Sequence, residues 1–105
     1  MAAKFVAVLV ACSSGREARA VVDSLLKKRL IACANILGGV ESKFWWKGKI
    51  DSSKESLVIL KTAARHFGAV EKEVKRLHSY EVPEIIALPI AAGNKAYLGW
   101  MEKEV

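Results

Sequence analysis

The sequence predicts an α+β fold of βαββαβ order, with helices over an antiparallel sheet, a long β2-β3 hairpin and a short C-terminal helix. Three observations lead there. Apolar, β-branched runs alternate with segments whose apolar residues recur at helical spacing. Strand-like runs flank a Lys47-Gly48-Lys49 turn. With 105 residues, 52% hydrophobic and 27% charged, the chain suits one globular domain spanning 1-105.

Phe5 to Val10 is continuously apolar and β-branched, as expected of an interior strand covered on both faces. Ser14-Gly15-Arg16-Glu17 then offers a capping box. The serine hydroxyl accepts from a free helix amide, and the glutamate reaches back to the cap amide. Ala18, Val21, Val22, Leu25 and Leu26 form the core face of the helix that follows, and Arg16, Arg19, Asp23, Lys27 and Lys28 face water. Lys27-Lys28-Arg29 complements the unpaired carbonyls of its last turn.

Leu30 to Leu37 reads as a second strand, broken at Gly38-Gly39 by a bend or bulge and resumed from Val40 to Trp46. After the turn, a polar stretch from Asp51 to Ser56 precedes a strand at Leu57-Val58-Ile59-Leu60. Phe67, Val70, Val74 and Leu77 give a second helix, beginning near Arg65, its apolar face. A loop from His78 to Glu84 leads to the last strand, Ile85 to Ile90. Pro89 cannot donate to a ladder and belongs near that strand's end. Asn94 can cap a terminal helix carrying Tyr97, Leu98 and Met101.

This order is the split βαβ arrangement of a ferredoxin-like sandwich. Its hairpin, at roughly 3.3 Å of rise per residue, must overrun a sheet whose first strand is only about eight residues long. Phe44, Trp45 and Trp46 near the tip are costly to leave in water. The expectation is a homo-oligomer held by this arm.

Composition narrows the function classes. The run Phe5 to Cys12 is too short for a membrane span and lacks a secretory pattern, so no membrane association and a cytoplasmic address are expected. Two cysteines, Cys12 and Cys33, make no disulfide framework and are expected as reduced thiols. The net charge of +6 is scattered rather than blocked, which argues against nucleic-acid binding.

Several segments go beyond pattern. Arg29-Leu30-Ile31-Ala32-Cys33-Ala34-Asn35-Ile36, Phe44-Trp45-Trp46-Lys47-Gly48-Lys49-Ile50, His78-Ser79-Tyr80-Glu81-Val82-Pro83-Glu84 with the strand after it, and Tyr97-Leu98-Gly99-Trp100 together resemble the CutA family. The resemblance runs from about Val8 to Met101. It implies a homotrimer of ferredoxin-like subunits with hairpins packed across subunit edges, and a role in divalent cation tolerance with copper foremost. It also implies a fold shared with the PII signalling proteins, which makes a small-ligand sensor or partner-docking module the alternative. The chain departs from the family at Ala11-Cys12-Ser13, where Thr-Cys-Pro is common, and at Ser79, where proline is common. Both departures loosen the local backbone.

Cys12, His78 and Glu84 offer thiolate, imidazole and carboxylate, a set able to bind copper or zinc if the three converge. Each also has a plainer reading, as a small buried hydrophobe, a helix-closing loop residue and a carboxylate bonded to backbone amides. Cys33 reads as core filling and His66 as helix surface. No nucleophile elbow, phosphate loop or paired-carboxylate motif occurs, so neither an enzyme nor an organic cofactor is expected. An RNA-binding reading lacks aromatics in the central strands.

Overall fold

A computed structural model describes residues 3–105. Its elements run β1 (Phe5–Cys12), α1 (Gly15–Lys27), β2 (Cys33–Trp46), β3 (Lys49–Ala63), a 3-10 turn (Ala64–His66), α2 (Phe67–Leu77), β4 (Ile85–Pro89) and α3 (Lys95–Glu104). The sheet order is β2-β3-β1-β4, with every neighbouring pair antiparallel. This is the α+β sandwich expected from the alternation of periods.

Strand alternation sets the core. Val6, Val8, Val10 and Cys12 pair with Thr62, Leu60, Val58 and Ser56, so both strands turn these residues to one face. Ala18, Val21, Val22 and Leu25 of α1 and Val70 and Val74 of α2 close over that face. Leu26 lies outside it, 42% exposed, because it falls past the edge of the apolar stripe.

The second strand begins three residues later than expected. Arg29 takes a left-handed φ of 54°, and the Arg29 and Leu30 amides donate to the Leu26 and Leu25 carbonyls. That is a Schellman closure with arginine where glycine is usual. The residues Leu30 to Ala32 are therefore used in ending the helix. The segment Asp51–Ser56 is also strand, because Asp51, Ser52, Ser53, Lys54 and Glu55 pair with Phe44, Lys43, Ser42, Glu41 and Val40 along the arm and Ser56 pairs with Cys12. Its polarity reflects a ribbon wet on much of its surface. Lys47 and Gly48, at φ 51° and 78°, form the two-residue turn whose twist suits a hairpin. The expected break at Gly38-Gly39 is a bulge, where pairing steps from Leu37–Leu57 to Val40–Glu55.

The other sheet face is left open by α1 and α2, and α3 covers only its end, against β3 and Cys33. Leu9 pairs with Ile59 and Ile86, and Ala7 with Lys61 and Leu88, so these side chains share the uncovered side. Ile86 and Leu88 are each 48% exposed. Pro89 sits on an edge strand, where its missing donor costs no ladder bond. Asn94 caps α3 by accepting from the Tyr97 amide at 3.0 Å, and Met101 anchors that helix in the interior.

Candidate metal centre

The site forms where β1 ends, α1 begins and α2 ends. Cys12, the last residue of β1, faces the core and is fully buried. Ser14 starts α1, its hydroxyl accepting from the Glu17 amide at 3.1 Å. The Glu17 carboxylate does not return to the Ser14 amide as the capping box predicts. It accepts from the Ser13 amide through Oε1 and the Ser79 amide through Oε2, each at 3.1 Å. One carboxylate thus ties the β1–α1 turn to the loop after α2. The Ser13 and Ser79 hydroxyls meet at 3.3 Å beside it.

His78 closes α2 by donating its amide to the Val74 carbonyl, and its ring enters the interior. Tyr80 N–H donates to Nδ1 at 3.0 Å, so that nitrogen carries no proton. The proton therefore lies on Nε2, which donates to the Ala11 carbonyl at 2.8 Å and stands 3.5 Å from Glu17 Oε1. The ring is thus held from both sides by the Tyr80 amide and the Ala11 carbonyl.

Cys12, Glu17 and His78 each bring one ligand atom to within 4.8 Å of the others. Cys12 and His78 are thus brought together as their chemistry invites, but Glu84 is not part of this group. It is exposed on the loop before β4, in the wall of a neighbouring groove. The convergent carboxylate is Glu17, a residue that sequence reasoning assigned to helix capping alone. The signal for it was present: a glutamate three residues into a helix that starts directly after the Cys12 strand.

Electrostatics hold Cys12 protonated and Glu17 ionised at rest. Burial, then the negative charges of Glu17 and Glu55, pushes the Cys12 thiol up to about 11, so it is a thiol at neutral pH. Burial alone would raise Glu17. Hydrogen bonds from Ser79 and Ser13 and the nearness of His78 outweigh it, and the carboxyl titrates below its ordinary range. One sulfur, one imidazole nitrogen and one carboxylate oxygen suit a borderline or thiophilic divalent ion. Coordination there requires the Cys12 proton to leave and Nε2 to give up its bond to Ala11. If the ring proton moves to Nδ1, the Tyr80 amide must also withdraw.

Next to this cluster, Tyr80 donates its hydroxyl to Glu55 Oε2 at 2.8 Å, and its ring stacks obliquely on His78 with centroids 4.7 Å apart. Burial, then the Glu55 bond, raises the Tyr80 phenol and keeps it a donor. Cys33, expected as core filling, is only partly buried. His66 lies in the 3-10 turn, partly buried rather than on an open surface.

Comparison with known proteins agrees with this architecture. The family model described as CutA1 divalent ion tolerance protein matches residues 6–104. The chain is 42% identical over 96 residues to the divalent-cation tolerance protein CutA of Thermus thermophilus, covering 91% of this chain and 93% of that one. It is 39% identical over 97 residues to the chloroplastic protein CutA 1 of Oryza sativa, covering 92% of this chain and 55% of the rice protein. A solved structure from Archaeoglobus fulgidus, described as a periplasmic divalent cation tolerance protein CutA, superposes with a TM-score of 0.93. It is 39% identical, with 95% of this chain and 97% of that one covered.

Proposed function

Because the chain belongs to the CutA1 divalent ion tolerance family, we propose that it acts in divalent cation tolerance by binding a divalent metal at Cys12, His78 and a carboxylate. The observation that carries the reading is the convergence of thiol, imidazole and carboxylate within 4.8 Å. Copper is the ion of choice and zinc the second, since mixed S, N and O donors follow the Irving–Williams order in which copper binds tighter. The metal is cargo, with no catalysed reaction and no organic cofactor, and the site of action is the cytoplasm.

The working unit is a homotrimer. Support comes from the apolar surface of the subunit: Trp45 and Ile50, paired across the arm, are 72% and 70% exposed, and the uncovered sheet face adds Ile86 and Leu88. Copies that shelter this surface remove it from water. The count of three rests on the family resemblance.

Calorimetric titration with Cu²⁺ and Zn²⁺ tests the site. His78→Ala and Glu17→Gln are each expected to weaken copper binding at least tenfold, the scale of a lost ligand or its close support, while Glu84→Gln leaves it unchanged. Unaltered affinity and stoichiometry in His78→Ala would overturn the assignment. Loss in Glu84→Gln with none in Glu17→Gln would restore Glu84 as the third ligand.

A further inference from the structure

The loop between α2 and β4 is tied to the metal centre by its own amides. From Ser79 to Glu84, no amide donates to a backbone carbonyl among the described residues. Two of these amides end instead on side chains, Ser79 N–H on Glu17 Oε2 at 3.1 Å and Tyr80 N–H on His78 Nδ1 at 3.0 Å. Both acceptors belong to the cluster of Cys12, Glu17 and His78.

A metal would treat the two ties differently. A carboxylate has several acceptor positions, so Glu17 can turn Oε1 to an ion and keep Ser79 on Oε2. A neutral imidazole has a single lone pair and a single N–H. If Nδ1 takes the ion, its lone pair is used. If Nε2 takes it, the ring proton moves to Nδ1, and two N–H groups then face each other. Either way the Tyr80 amide loses its acceptor. Loading therefore pivots the loop about Ser79 and draws Tyr80 away from the ring.

Tyr80 is not free to follow. Its hydroxyl donates to Glu55 Oε2 at 2.8 Å, and its ring lies against His78 with centroids 4.7 Å apart. Glu55 is buried and pairs with Val40 directly after the Gly38-Gly39 bulge, where the arm leaves the sheet. A hydrogen bond to an ionised carboxylate is among the stronger kinds, and both ends of this one lie within a single subunit.

We propose that Tyr80 is a positioning residue that restrains metal entry. Its bond to Glu55 holds its amide on His78 Nδ1, and an ion takes the ring only by pulling Tyr80 away from both. This rests on the metal reading of Cys12, Glu17 and His78. By linkage, metal binding and attachment of the loop to the root of the arm oppose each other.

The sign of one substitution separates this role from ordinary support. Removing a residue that merely orients a ligand weakens metal binding about 10–100-fold. Tyr80→Phe keeps the ring and the amide and cuts only the bond to Glu55. It is expected to bind Zn²⁺ about tenfold tighter, the scale of a charged hydrogen bond that only the metal-free protein makes.

The test uses the assembled, metal-free protein titrated with Zn²⁺ by calorimetry. Deuterium exchange of the amide at position 80 is followed in parallel by NMR and needs no variant. In the wild type, zinc should speed that exchange severalfold, whereas binding that stabilises the fold slows exchange. Equal or weaker zinc binding by Tyr80→Phe overturns the proposal, as does wild-type exchange at position 80 that slows or stays constant. Either result alongside zinc binding by the wild type leaves the metal site standing and removes this proposal alone. No zinc binding by the wild type removes both.

Discussion

At the scale of single residues, buried polar side chains decide how the protein answers pH and substitution. Glu73 is held well below the ordinary carboxylate range by hydrogen bonds from Arg76, then Ser24 and Lys28. A carboxyl depressed in the folded state stabilises above its unfolded value, about 4, and that contribution is lost as pH falls through the folded value. Acid unfolding of the wild type should therefore depend on Glu73. Glu73→Gln is expected to be less stable at pH 7 and to approach the wild type below pH about 4, as followed by circular dichroism. His78→Ala removes a ring bonded at both nitrogens and leaves the Ala11 carbonyl and Tyr80 amide without those partners. A loss of about 2–4 kcal/mol is expected by urea denaturation in metal-free buffer. Cys12 and His78 were legible as chemistry-bearing residues from type and topology. Glu17 was not, because the capping pattern accounted for it fully. Only folding shows that its carboxylate passes the cap amide to reach Ser13 and Ser79.

At the scale of elements, the helices and inner strands were readable because a single face of each is buried. Period alone places Val21, Val22 and Leu25 against the core, whereas the unbroken apolar run Phe5 to Val10 marks a strand and not that Val8 and Val10, rather than Ala7 and Leu9, are its core side. The ends were less readable. Sequence cannot announce that Arg29 will occupy a left-handed position, nor that Asp51 to Ser56, polar throughout, will pair as strand. Ser14→Ala removes the cap of α1, and with it support for the turn that carries Glu17. A cost of about 1 kcal/mol is expected by thermal or urea denaturation. In the arm, Trp45 and Ile50 make little contact with their own subunit. Trp45→Ser with Ile50→Ser should leave the circular dichroism of the subunit intact and shift sedimentation to a smaller species. Unchanged sedimentation would remove the arm from the contacts between copies.

At the scale of the whole molecule, the sheet is covered by α1 and α2 on one side and, among the described residues, only at one end by α3 on the other, and the extents of 44 × 28 × 23 Å reflect the projecting arm. A subunit whose uncovered face is sheltered only by its neighbours gains stability by mass action. The melting temperature should therefore rise with protein concentration in the micromolar range, and a concentration-independent melt would argue for a self-sufficient subunit. The order of elements was enough to foresee this asymmetry, since the two crossover helices of a βαββαβ sandwich lie on the same side.

The bulge at Gly38-Gly39 has an effect well beyond its own two residues. Before it, odd-numbered positions of β2 pair with odd-numbered positions of β3; after it, even-numbered positions do. That single step in parity decides that Phe44 and Trp46, rather than Trp45, lie on the side of Glu55 and Asp51. Removing one glycine would exchange the two sets of rings, sending Trp45 toward the carboxylates and the other pair to the opposite surface, with no aromatic residue changed.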